Sequence, residues 1–513
     1  MGLRQTLFDK GKQALLSPAV MRWVSDDRVM KATEGLLDAR GRLKAAWTVL
    51  KNGHELPNVD PALDENIGTS APATAKSNGA SNGHAAAPAK ADVTSGSTDM
   101  DESMKERTSL ASIGGKDVFD KAFKFMAADN ARKMGIYPFF RPLDFNDGPE
   151  AEINGKRVLM FGSNNYLGLT KHPKVREAAV AAIERFGTSM TGSRLVNGSM
   201  KLHEELEAKF AAFMGKESAL VFTTGYQVNL ATCAALLSNK QSVAFIDRNV
   251  HASLYDGVRL GQAAGAKLVR YKHNDAESLD RALEKLEAGD GAFVITDGVF
   301  SAEGEIAKLD ELVPIVKKHG ARLLVDDAHA VGVIGPGGRG TAHSFGLENQ
   351  VDLIGGTFSK SLASIGGFLV GERKVLDYIR HFAPSFMFAA SAAPPQVAAA
   401  MAALEVMQEE TWRIDKLREN FTYMRDELKK LGFELGHTQT AVIPIYIRQD
   451  LRTIMMWRDL LEEHGVYTNP FISPGVPPKS AMLRTSYMAT HERHQLDRAL
   501  EAFAKVGKKY GVI

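Results

Sequence analysis

Leu323-Leu324-Val325-Asp326-Asp327-Ala328-His329 is a short apolar run that stops on two carboxylates and, one alanine later, an imidazole. A run this short and this rich in branched apolar residues predicts a strand buried on both faces, as strands of a parallel sheet are. Similar runs recur on either side, at 219–222, 242–246, 268–271, 292–296, 352–354 and 367–370. Helix-period segments separate most of them, as at 275–286 and 309–318. This alternation predicts an α/β fold with a mainly parallel seven-stranded sheet covered by helices on both faces. Ligands of such sheets bind at the carboxyl ends of the strands. Asp247, Asp297, Asp326 and Thr357 each follow an apolar run and fall at those ends.

At 513 residues the chain is long enough for more than one domain. Residues 1–55 read as a helical N-terminal extension, with ten basic and six acidic residues. Residues 56–115 are rich in Ala, Ser, Gly, Asn, Thr and Pro. That composition buries too little apolar surface to offset its ordering entropy, so a flexible linker is expected. Residues 116–155 are expected to form an N-terminal arm, 156–400 a large domain with the seven strands, and 401–513 a smaller α+β domain. The formal charge of +2 lacks the basic excess of a nucleic-acid binder. A single cysteine, Cys233, excludes an internal disulfide framework and any multi-cysteine metal site. The chain has no apolar run of about eighteen residues, and its N-terminus lacks an apolar core followed by a cleavage site. A cytoplasmic protein is expected, with the mildly basic 1–55 segment available for peripheral contact with the inner face of a membrane.

Four residues at or just past these strand ends form a chemical set. Lys360 lies in Gly356-Thr357-Phe358-Ser359-Lys360-Ser361, just past a strand, where partial desolvation keeps an amine neutral and nucleophilic. Asp326 ends its strand where a carboxylate is costly unless a cation or donors meet it. Asp327 competes for that role, but strand alternation turns the pair to opposite sides, and Asp326 is preferred. His329 is close enough in sequence to reach the same ligand, and His251 follows the strand ending at Asp247, with Ala252 and Ser253 leaving room for a flat ring. An amine for a Schiff base, a carboxylate for a pyridinium nitrogen and two imidazoles are the equipment for pyridoxal 5′-phosphate (PLP). Thr223-Thr224-Gly225-Tyr226-Gln227-Val228-Asn229 opens a helix after a strand and offers backbone N–H groups to a phosphate. Arg484, in Leu483-Arg484-Thr485-Ser486, has the planar fork that clamps a carboxylate. No metal is expected.

These residues together resemble the α-oxoamine synthases, PLP enzymes that condense an amino acid with an acyl thioester and release CO₂. Asn165-Tyr166-Leu167-Gly168-Leu169, His251-Ala252-Ser253-Leu254-Tyr255-Asp256-Gly257, Asp297-Gly298-Val299-Phe300-Ser301, Asp326-Asp327-Ala328-His329 and Thr357-Phe358-Ser359-Lys360 occur in the family's order. The resemblance implies the PLP-dependent transferase fold type I, and a homodimer with active sites at its interface. It implies that Lys360 carries the cofactor, Asp326 pairs with its ring nitrogen, His251 stacks on the ring and His329 bonds the phenol oxygen. Gly225, Tyr226 and Thr357 would hold the phosphate, and Arg484 with Asn165 the substrate carboxylate. Thr191-Gly192-Ser193-Arg194-Leu195-Val196-Asn197-Gly198 is similar to a loop of the serine-using members. L-serine and a long-chain acyl thioester, on coenzyme A or an acyl carrier protein, are therefore the implied substrates, and 3-ketodihydrosphingosine the product. Glycine- or alanine-using relatives are the alternative, and intact Lys360 and Asp326 argue against a catalytically silent scaffold subunit. Two positions depart from the pattern: Ala389 replaces a hydroxyl that reaches the partner's phosphate, leaving Ser391 nearby, and Asn164 stands where some serine-using relatives have an aromatic residue.

Overall fold

The seven apolar runs form a single sheet in this computed structural model, which describes residues 117–477 and 479–513. The extension (1–55) and the linker (56–115) lie outside the described residues. Residues 132–513 form one compact unit; residues 117–131 group apart from it and carry a four-residue helix, Asp120–Phe123.

Three strands precede the large sheet: β1 (Phe145–Asn146), β2 (Glu150–Ile153) and β3 (Lys156–Met160). The seven of the sheet are β4 (Ser218–Phe222), β5 (Ser242–Asp247), β6 (Lys267–Tyr271), β7 (Gly291–Asp297), β8 (Arg322–Asp326), β9 (Leu353–Thr357) and β10 (Gly367–Gly371). Their order is β4-β10-β9-β8-β7-β5-β6, and only β10 runs against its neighbours. Leu323, Leu324 and Val325 are wholly buried, as a strand covered on both faces requires.

The described helices of eight or more residues are α1 (Pro173–Phe186), α2 (Lys201–Met214), α3 (Gly225–Leu236), α4 (Ala252–Ala263), α5 (Ala276–Leu283), α6 (Leu309–Lys318), α7 (Arg373–Phe382), α8 (Pro394–Glu409), α9 (Trp412–Lys430), α10 (Asp450–Glu462) and α11 (Arg493–Lys509). Local chemistry sets several of their starts. Thr224 caps α3 by accepting from Gln227 N–H at 3.1 Å, and Asp275 caps α5 by accepting from Ser278 N–H at 2.8 Å. Proline at the first position opens α1 and α8, where its missing N–H costs nothing.

The smaller region contains β11 (Val442–Tyr446), β12 (Val466–Tyr467), β13 (Asn469–Phe471) and β14 (Met482–Ser486). An antiparallel sheet of order β11-β14-β13 presents Arg484 from its middle strand. β12 instead pairs in parallel with β3, extending a β1-β2-β3-β12 sheet. The boundary expected at 155/156 therefore falls inside the β2–β3 hairpin, which turns at Asn154-Gly155 with φ of 51° and 71°. The boundary expected at 400/401 falls within α8. Among the described residues no helix is long and apolar enough to cross a membrane.

Candidate active site

The parallel strands bring their terminal acids into register, with Asp297 beside Asp326 and Asp326 beside Gly355. Asp326 is buried, and its Oδ2 accepts from Asn229 Nδ2 at 2.6 Å while Oδ1 accepts from Ala328 N–H at 2.9 Å. The second amide proton of Asn229 goes to Ser253 Oγ at 2.8 Å. Ser253 Oγ in turn lies 2.7 Å from His251 Nδ1, and Ser253 N–H donates to that nitrogen at 3.3 Å. Two donors on Nδ1 leave the imidazole proton on Nε2. Burial, with Lys360 adding to it, keeps His251 neutral by lowering its pKa against the pull of Asp326. Asp297 holds the start of α4 from behind, its two oxygens 3.2 and 3.3 Å from the His251 N–H. Asp327 turns the other way, and its Oδ2 accepts from Thr341 N–H at 2.9 Å.

Lys360 follows β9 and shares this space. Burial of its amine lowers its pKa from 10.5 to about 8, with Arg484 pushing the same way and Asp326 and Asp297 opposing. His329 is held well below the usual imidazole range by burial and by the charges of Lys360 and Arg484. Its Nδ1 is 2.7 Å from the hydroxyl of the fully buried Tyr166. Arg484 is buried and fixed at two nitrogens: Nε donates to Ser301 O at 2.6 Å, and Nη1 to Ser486 Oγ at 2.8 Å and Asn164 Oδ1 at 3.0 Å.

The phosphate end is shaped by Gly225. A Cβ there would lie 2.6 Å from Thr357 Cβ, so only glycine lets α3 begin against the end of β9. Thr357 Oγ1 donates to Gly366 O at 3.0 Å. Tyr226 is exposed, bonds Asp256 through its hydroxyl and meets His251 edge-on at 6.3 Å between ring centroids.

The family model for class I and II aminotransferases matches residues 156–503. The chain belongs to this family. Within it, the chain is 43% identical over 385 residues to a serine palmitoyltransferase of Sphingobacterium spiritivorum, covering 75% of this chain and 95% of the relative. It is 39% identical over 386 residues to an 8-amino-7-oxononanoate synthase of Thermoanaerobacter pseudethanolicus, covering 75% and 96%. A serine palmitoyltransferase from S. paucimobilis, solved with a PLP–myriocin aldimine bound, superposes with a TM-score of 0.74 at 35% identity, covering 78% of this chain and all of that one.

Viewed as a member of the aminotransferase family, the chain brings Asp326, His251, His329 and Arg484 within electrostatic reach of Lys360. Two sequence candidates have local bonds of their own, Asn165 through its side chain and Ser391 through its backbone. Asn165 donates to Thr170 Oγ1 at 3.0 Å and accepts from Leu169 N–H at 3.1 Å, bracing the turn at Leu169–Lys171, while its neighbour Asn164 meets Arg484. Ser391 donates its backbone N–H to Gly192 O at 3.0 Å, and no contact among the described residues ties it to Gly225 or Thr357. Asn229 and Tyr166 stand within motifs read from the sequence, which assigns neither of them a role. A lone amide on the apolar face of α3, between buried Val228 and Ala231, was the one available signal for Asn229.

Proposed function

We propose that this chain condenses L-serine with a long-chain acyl thioester, releasing CO₂ and the thiol, with PLP as its cofactor. The observation that carries this reading is the strand register that sets buried Asp297 and Asp326 beside β9, the strand leading to Lys360, with buried Arg484 bonded to Ser301 just past β7. The residues fit PLP on their own terms. Asp326 is a buried carboxylate with no cation bonded to it among the described residues, placed to meet a ring nitrogen. The start of α3 against Thr357 has no Cβ in the way, leaving backbone N–H groups open toward a phosphate. Lys360, Asp326, His251, His329, Gly225, Tyr226 and Thr357 would hold the cofactor. When bound, PLP supplies an aldehyde for amine capture and a ring that withdraws electrons from the α-carbon.

The chain's own residues then divide the work. Arg484, steadied by Ser301, Ser486 and Asn164, binds the serine carboxylate as a planar fork. Lys360, partly neutral near pH 8, removes the α-proton. His251 holds a flat face toward the site and His329 orients its contents as a neutral imidazole, which keeps the bond to be broken aligned. The serine α-carbon bonds to the thioester carbonyl carbon, the C–S bond breaks and the thiol departs. The carboxylate leaves as CO₂ and a proton returns to the α-carbon. Ser391, set with the 192–198 loop, would reach a phosphate only from a second copy, so a homodimer with shared sites is part of this reading. A cytoplasmic location, with residues 1–55 contacting the inner membrane face, is its cellular counterpart.

Purified protein given L-serine and a mixed pool of acyl-coenzyme A and acyl carrier protein thioesters should release CO₂ and yield 3-ketodihydrosphingosine-type products by mass spectrometry. Turnover with glycine or alanine, and none with serine, would replace this reading with another α-oxoamine synthase activity.

A further inference from the structure

A cluster of buried charge lies behind Arg484, and none of it enters the mechanism above. His273, in the turn after β6, has Nδ1 3.1 Å from Asp247 Oδ1 and Nε2 3.6 Å from Glu305 Oε2. Glu303 lies close by and accepts from Asn249 Nδ2 at 3.0 Å, while Lys308 and His437 also face Glu305. Burial opposes a charge on His273, but Asp247 and Glu305 outweigh it and raise its pKa to about 10. The imidazole is thus a cation between carboxylates from two separate parts of the chain.

Those parts are the end of β5 and a hairpin spanning 298–307. Val299 and Ile306 bridge across the hairpin, and Phe300 N–H donates to Glu305 O at 2.9 Å. Ser301, near its turn, offers the carbonyl that takes Arg484 Nε at 2.6 Å. On the other side, Gly304 O accepts from Gln439 N–H at 3.1 Å and from Thr440 Oγ1 at 3.0 Å, just before β11. β11 pairs with β14 so that Pro444 stands opposite Arg484. The hairpin therefore links the large sheet to the strand pair carrying the guanidinium, and touches the guanidinium itself.

We propose that His273 is a positioning residue for Arg484: by tying Glu305 of the hairpin to Asp247 of β5, it sets where the guanidinium meets a substrate carboxylate. This rests on Arg484 being the carboxylate anchor. Without the imidazolium, Asp247 and Glu305 face each other in a poorly hydrated interior, where like charges repel strongly. Gly298 N–H on Asp326 O at 2.8 Å and Asn274 Nδ2 on Ile306 O at 3.0 Å hold the base of the hairpin, so its turn relieves that repulsion by tilting, and the Ser301 carbonyl leaves Nε. Asp326 ends β8, His329 follows it and Lys360 follows β9; the hairpin meets this group at its base, through the Gly298 N–H on Asp326 O, so movement at its turn falls on carboxylate recognition rather than on amine capture.

The test compares His273→Gln, Glu305→Gln and Arg484→Lys in the PLP-loaded protein, reading dissociation constants for L-serine and for ethanolamine, which is serine without its carboxylate, from the cofactor absorbance. His273→Gln should weaken L-serine about tenfold, as misplacing a clamp does, and leave ethanolamine within about twofold. Glu305→Gln loses the attraction to the imidazolium without creating the repulsion and keeps the His273–Asp247 contact, so it should weaken L-serine selectively but by less, even where His273→Gln folds poorly. If Arg484→Lys discriminates between the two ligands and neither of the other variants does, the tie is overturned and the anchor stands. If Arg484→Lys does not discriminate, the anchor and the tie both fall.

Discussion

Lys360→Ala should remove condensing activity, with kcat down by about 10³-fold or more, because the group assigned to move the α-proton is gone. The same variant should fold normally. Lys360 makes no side-chain hydrogen bond among the described residues, and its amine sits where burial disfavours its charge. The sign follows from linkage: a lysine with a folded pKa near 8 and an unfolded one near 10.5 binds protons more readily when unfolded. It therefore destabilises the fold below about pH 8, and the penalty fades as pH rises toward 10.5. At pH 7 the alanine variant should be no less stable than its parent by thermal unfolding. A variant that stays active would remove Lys360 from the reaction.

Asp326→Asn should rank second, lowering kcat by about 10²–10³-fold, the range for deleting a charge aimed at a reacting centre. Asparagine keeps the shape and one acceptor oxygen, which can still take Asn229 Nδ2, so the change removes the negative charge together with the bond from Ala328 N–H. PLP affinity, measured by titrating cofactor-free protein, should fall with it. Asp327→Asn is the internal comparison. Its carboxyl is pushed up to about 7 by burial and bonds Thr341 on the far side of the strand end, so its loss should alter stability and leave turnover close to normal. Equal losses for both variants would mean that the two acids do not divide as their orientations indicate.

The contrast between these neighbours was legible from sequence, because strand alternation alone sends adjacent side chains to opposite faces. The large sheet was legible for a related reason. A strand buried on both sides reads as a continuous apolar run, and six of the seven runs end where their strands end to within about a residue; the run at 352–354 stops short because Gly355 and Gly356 carry β9 on to Thr357 without apolar side chains. Contacts across long sequence separations left no such mark. The Tyr166–His329 contact joins residues 163 apart, and the Asn229–Asp326 bond joins residues 97 apart. Neither spacing repeats a period that a single chain displays. Asn164 and Asn165 show the limit most sharply: which adjacent amide turns to Arg484 depends on the turn at Leu169–Lys171, which Asn165 itself braces. The pairing of β12 with β3 was hidden too, since parallel partners need only be adjacent in space.

Borohydride reduction of the PLP-loaded protein, followed by proteolysis and mass spectrometry, puts the assignment of Lys360 to its hardest trial. A phosphopyridoxyl group fixed on the peptide containing Lys360 is the predicted result. A label on a different lysine, or no label on any peptide, would contradict it.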